Sequence, residues 1–157
     1  MSVHLGQPSA RKPPYKFSAF ARVGFSDTDA QGIVYYGRYL PYFDTARVEY
    51  ERYLGLLRRE AVGKDFVMRV SSVVYEAPAR FDDLLEVFVR TKRIGVTSIC
   101  CEFCVYRVED DVLMCTAEQT LVLVAVPERR PTPISVEYRR QVVEFEGEDV
   151  ELAVPSQ

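Results

Sequence analysis

Residues 66–126 read as an almost unbroken series of β-prone stretches joined by short turns, and a single long stretch of helical period comes shortly before them. Residues 67–75 are rich in β-branched side chains, residues 84–94 alternate, and Gly95 supplies a tight turn into residues 97–108. The acidic turn Glu109-Asp110-Asp111 leads into residues 112–126, so the last two stretches predict a long hairpin. An earlier short strand, residues 17–25, closes at the turn-forming Ser26-Asp27-Thr28-Asp29. Consecutive strands with short connections pair antiparallel, and the sheet they make must bury its apolar face under the helix. The expectation is an α+β fold with five antiparallel strands. After residues 127–133 a short helix is expected from Ser135, as N-cap, to about residue 145.

The long helix is read over residues 36–57. Tyr39, Phe43, Ala46, Tyr50, Leu54 and Leu57 follow the rhythm of one buried face, and Asp44, Arg47 and Glu51 lie on a more polar one at ion-pairing distances. Pro41 fixes the start near Gly37 or Arg38, because a proline is tolerated only where its missing N–H costs nothing. Gly55 and Gly63 help to end the helix.

A chain of 157 residues with 48% hydrophobic residues suits one domain with a real core. Residues 1–15 read as a flexible leader, 16–146 as the domain and 147–157 as an acidic tail. A net charge of −3 lacks the basic excess of a nucleic-acid binder. The longest apolar run, residues 121–126, is far too short to span a bilayer, and no secretory signal opens the sequence, so a cytoplasmic location is expected. The only histidine, His4, lies in the leader, so a His-dependent hydrolase would have to recruit it from there, and His-rich metal sites are excluded by count. No GxSxG, GxxxxGK[ST] or GxGxxG is present. On a strand, Cys100 and Cys104 share one face and Cys101 takes the other, with Cys115 elsewhere, so reduced packing thiols are expected and neither metal nor cofactor. Chemistry is left to carboxylates, hydroxyls, cations and backbone dipoles.

The segment Phe25-Ser26-Asp27-Thr28-Asp29-Ala30-Gln31-Gly32-Ile33-Val34-Tyr35-Tyr36-Gly37-Arg38-Tyr39-Leu40 resembles the active-site signature of the hotdog-fold acyl-CoA thioesterases. It is most similar to the 4-hydroxybenzoyl-CoA thioesterase branch, which includes the Tol-Pal-associated thioesterases. Tyr42-Phe43-Asp44-Thr45-Ala46-Arg47, Tyr75-Glu76-Ala77-Pro78-Ala79-Arg80 and Arg130-Pro131-Thr132-Pro133-Ile134 resemble the same family in the same order. The resemblance implies a long central helix wrapped by a curved five-stranded antiparallel sheet, and active sites at a dimer interface. It places the catalytic carboxylate at Asp29 and leaves Asp27 as a structural turn residue. Many relatives carry His seven residues after the aspartate. This chain has Tyr36, as the hydroxybenzoyl-CoA enzymes do, and the resemblance assigns the Tyr36 backbone N–H to the thioester carbonyl.

The residue chemistry is compatible with that assignment. Thioester hydrolysis needs a nucleophile or base beside the carbonyl and donors for the developing oxyanion, and the free N–H groups of a first helical turn are such donors. The carboxylate can attack to give a mixed anhydride or can deprotonate water; both routes stay open. Coenzyme A phosphates call for cations, for which Arg93 is the first candidate, ahead of Lys92, Arg129 and Arg130. The expected activity is hydrolysis of a short-to-medium or aromatic acyl-CoA by a homodimer or homotetramer. A non-catalytic acyl-CoA-binding module is the alternative; a hotdog dehydratase would need a histidine in the domain. Tyr35, Tyr36, Tyr39, Tyr42 and Phe43 either line an aryl pocket or fill the core.

Overall fold

β-forming stretches joined by short turns organise the middle of the chain into strands that share one sheet, in which residues 85–91 are buried on both faces. The computed structural model describes residues 4–57 and 63–153. In chain order the elements are β1 (Gly6–Pro8), β2 (Phe17–Arg22), α1 (Tyr39–Tyr53), β3 (Lys64–Tyr75), β4 (Leu84–Ile94), β5 (Ser98–Arg107), β6 (Val112–Ala125), β7 (Arg130–Pro131), α2 (Val136–Glu146) and β8 (Glu151–Leu152). The sheet order is β1-β2-β4-β5-β6-β3, antiparallel throughout, with β7 added to β6 and β8 added parallel to β4.

All five expected strands form, but among the described residues the sheet has eight strands, not five. The three additions are two or three residues long, too short to carry a period of their own; unpaired backbone groups of β2, β6 and β4 recruit them. Two of them lie in the stretches expected as leader and tail: Gly6–Pro8 pairs with β2, and Glu151–Leu152 pairs with Arg93 and Ile94. The strand expected to reach residue 25 stops at Arg22 and gives way to a 3-10 turn, Phe25–Asp27.

α1 buries Tyr39, Phe43, Ala46 and Tyr50 as its spacing requires, and Tyr42 as well. Pro41 falls in the first turn, where no intrahelical partner is lost. Phe43 meets Phe103 with ring centroids 4.9 Å apart, and Phe17 meets Tyr50 edge-on at 5.8 Å. Of the expected ion pairs, Asp44–Arg47 forms at 3.2 Å, whereas Glu51 is pushed above the usual carboxylate range by burial. Cys101 joins the core under α1, and Cys104 lies on the opposite face with Phe88 and Tyr15. All four cysteines are free thiols. Burial pushes Cys101 up to about 12, so it is not a thiolate at neutral pH.

The sheet face turned away from α1 carries a strap formed by residues 11–15. Arg11 pairs with buried Glu86, which also accepts a hydrogen bond from Ser18 Oγ at 2.6 Å. The Lys12 ammonium sits 4.1 Å from the Tyr106 ring centroid, and Tyr15 packs on Phe88. α2 starts at Ser135, whose hydroxyl accepts from the Tyr138 N–H at 3.1 Å, and its Tyr138 and Val142 enter the core. Its last residue, Glu146, is only 1% exposed and meets Tyr50 and Thr91 beneath β4.

Candidate active site

The loop between β2 and α1 is tied at both ends by one carboxylate. Asp27 Oδ2 accepts from the Gly24 N–H at 2.9 Å and from the Tyr42 hydroxyl at 2.8 Å, while its backbone oxygen accepts from the Tyr35 N–H at 2.9 Å. Asp27 is thus a structural residue that fastens the loop to the first turns of α1.

Between those ties, residues 28–34 make a miniature hairpin. Thr28 bridges Val34, the Asp29 N–H donates to Ile33 O at 2.9 Å, and the Gly32 N–H donates to Asp29 O at 3.0 Å. Gly32 has φ 77°, a left-handed conformation that favours glycine at this tip. The Val34 N–H donates to Ala79 O at 2.9 Å and Ile33 bridges Arg80, so the hairpin is pinned to the connection between β3 and β4. Asp29 is half-buried; its Oδ1 accepts from the Gln31 N–H at 2.8 Å, and its Oδ2 has no hydrogen-bond partner among the described residues. One carboxylate oxygen is held and the other is available.

A 3-10 turn, Tyr36–Arg38, runs directly into α1. Its first hydrogen bond is Arg38 N–H to Tyr35 O at 2.9 Å, which leaves the Tyr36 and Gly37 N–H groups without a partner among the described residues. Both lie at the positive end of the helix dipole. Beside them opens a largely apolar cleft of about 280 Å³, walled by Ile33, Val34, Tyr36, Tyr39, Tyr75 and Pro78, with Glu76 at its rim. Of the five aromatic residues considered for a pocket, Tyr36 and Tyr39 line this cleft, Tyr42 and Phe43 are core, and Tyr35 is exposed. Tyr75 and Glu76 were legible only as part of a family-like segment; an aromatic side chain closing an edge strand is the signal that marks the first.

Arg93 stands elsewhere. The loop that carries Asp29 leaves β2 at Arg22, which pairs with Leu84 at one end of β4, and Arg93 is near the other end, about 30 Å away at the usual strand rise. Within one chain the structure does not bring Arg93 to the cleft. Among the described residues no group of three or more His, Cys, Asp or Glu side chains is placed to hold a metal, and no helix is long and apolar enough to cross a membrane.

The acyl-CoA thioesterase YbgC of Haemophilus influenzae is 36% identical over 86 residues, 53% of this chain and 63% of that protein's length. The 1,4-dihydroxy-2-naphthoyl-CoA hydrolase of Synechocystis is 25% identical over 134 residues, 83% of this chain and 96% of that one. The crystal structure of Slr0204, a 1,4-dihydroxy-2-naphthoyl-CoA thioesterase from Synechocystis, is similar in fold. Its TM-score is 0.75 at 23% identity, over 82% of this chain and 96% of that one. The family model of the thioesterase-like superfamily matches residues 23–146, a span that contains the loop at residues 27–36, α1, every strand from β3 to β7, and α2. The hotdog architecture and this match agree: the chain belongs to the thioesterase-like superfamily.

Proposed function

We propose that this chain hydrolyses acyl-CoA thioesters to a free acid and coenzyme A, with Asp29 as nucleophile or general base and the Tyr36 N–H polarising the thioester carbonyl. One observation carries the reading. Among the described residues, a carboxylate with one unengaged oxygen lies on a hairpin whose Ile33 and Val34 wall an apolar cleft, and two unpartnered helix-start N–H groups stand beside the same cleft. Donors fixed before the reaction stabilise an oxyanion without reorganising, and a nearby carboxylate supplies attack or water activation. The curated relatives named above point to the same substrate class.

The cleft volume and its tyrosine walls favour short-to-medium or aromatic acyl groups. Thiol release from a panel of short, medium, long and aromatic acyl-CoAs tests this: turnover is expected on the smaller and aromatic esters and little on palmitoyl-CoA. Preference for long chains overturns the substrate class. Tight binding of every ester without thiol release overturns the activity and makes the chain a non-catalytic acyl-CoA-binding module.

The active assembly is a homodimer or a pair of homodimers. β3 is an edge strand along its whole length, with Met68, Val70 and Val74 exposed. Antiparallel pairing of two such edges about a two-fold axis lays the Tyr75 end of one copy beside the Lys64 end of the other. That pairing turns the Arg93 end of one sheet toward the cleft of its partner, so Arg93 serves the coenzyme A phosphates of the neighbouring site. Light scattering at micromolar concentration is expected to give at least twice the 18.0 kDa monomer mass; a monomer would contradict this assembly. A cytoplasmic location is part of the same reading and suits four unpaired thiols.

A further inference from the structure

We propose that Tyr75 is a positioning residue for the thioester carbonyl: its hydroxyl, donated to the Tyr36 carbonyl oxygen, fixes the turn that presents the Tyr36 and Gly37 N–H groups. The inference rests on the proposed thioesterase reading and adds to it a residue from a different element. Tyr75 is the last residue of β3, and its hydroxyl reaches Tyr36 O across 3.0 Å. Its ring packs against Tyr36 at 5.1 Å and Tyr39 at 5.8 Å, so three tyrosines, from the 3-10 turn, α1 and β3, interlock at the cleft.

The contact falls where the backbone is otherwise weakly held. Residues 36–38 form a 3-10 turn, whose hydrogen bonds have poorer geometry than those of an α-helix. Tyr36 O already accepts from the Tyr39 N–H, and the Tyr75 hydroxyl fills its second lone pair. That carbonyl belongs to the same rigid peptide unit as the Gly37 N–H, so holding one end holds the other. Polarising the carbonyl also makes the N–H a better donor. Burial and neighbouring groups raise Tyr75 above the ordinary phenol value, which keeps it a donor at neutral pH. Tyr36 is 55% exposed, so water replaces the hydroxyl at its carbonyl oxygen and removal of the Tyr75 hydroxyl costs little folding stability.

Tyr75→Phe keeps the ring wall and removes only the hydroxyl. On an accepted acyl-CoA, kcat is expected to fall about tenfold, less than the loss from deleting a direct oxyanion donor, with KM within about twofold and the melting temperature preserved. A second readout needs no turnover. In the free protein, the Tyr36 and Gly37 amide resonances are expected to shift more than those of the surrounding turn. Full kcat in the variant, or a joint change of kcat, KM and melting temperature, overturns the inference while leaving the thioesterase reading intact. If the wild type releases no thiol, that reading fails and the amide resonances decide: shifts confined to residues 36 and 37 uphold the clamp, and unchanged resonances overturn it.

Discussion

Asp29→Asn is expected to lower turnover of an accepted acyl-CoA by about 10²-fold or more, while KM changes by no more than a few-fold. Asparagine preserves the size of the side chain and can still accept the Gln31 N–H hydrogen bond, now 2.8 Å. The anionic oxygen is lost, and with it either attack on the thioester or deprotonation of water. Ester binding does not depend on that charge, so the loss belongs to kcat. Asp27→Asn is the matched control, because Asp27 is occupied by Gly24 and Tyr42 and ties down the loop. Its effect is expected mainly in stability. Near-full turnover in Asp29→Asn with loss in Asp27→Asn would move the catalytic carboxylate two residues and sink the assignment.

The largest expected stability effect comes from Glu146. Its Oε2 accepts from the Tyr50 hydroxyl at 2.6 Å and from the Thr91 N–H at 2.9 Å, and Lys16 Nζ is 4.0 Å from its Oε1. Glu146→Leu strands the Thr91 N–H beneath the sheet, leaves the Tyr50 hydroxyl only Thr91 Oγ1 at 2.9 Å, and is expected to cost on the order of 3 kcal/mol, measured by urea denaturation. The same residue predicts a pH dependence. Burial raises Glu146 above the ordinary carboxylate value, and the bonds from Tyr50 and Thr91 with the charges of Lys16 and Arg90 oppose that rise without cancelling it. A raised folded value means that the native protein holds this proton more tightly than the unfolded chain. The resulting stability is fully present below about 4.5 and is lost as pH rises through the folded value. Glu146→Gln is expected to flatten that part of the stability profile; an unchanged slope would refute the account.

The elements with a strong local period were readable in advance. α1 was legible because Tyr39, Phe43, Ala46 and Tyr50 recur at helical spacing, and Ser135 because a hydroxyl before a helical run satisfies an open N–H. The alternation of Cys100, Cys101 and Cys104 followed from strand geometry alone. What was not legible depends on partners distant in the chain. Glu146 stands beside an acidic tail and would be solvated on local grounds; only Tyr50 and Thr91 make its burial possible. The strap at residues 11–15 looks loose until Glu86 and Tyr106 are placed beneath it. Asp29 could be named from its motif, whereas the place of Arg93 followed from strand length and Tyr75 from the closing of the sheet edge.

The two borders of the sheet are unequal, and this limits how far copies of the chain can join. On the β2 side the border is β1, three residues long and ending at Pro8, whose nitrogen has no hydrogen to donate. On the other side β3 offers twelve residues of open backbone. Joining two β3 strands about a two-fold axis uses the long border of both copies at once. What then remains exposed at either end is a short border interrupted by proline, a poor template for another strand. In the dimer proposed above, strand-by-strand growth therefore terminates at a pair, and the same pairing guards against fibre formation.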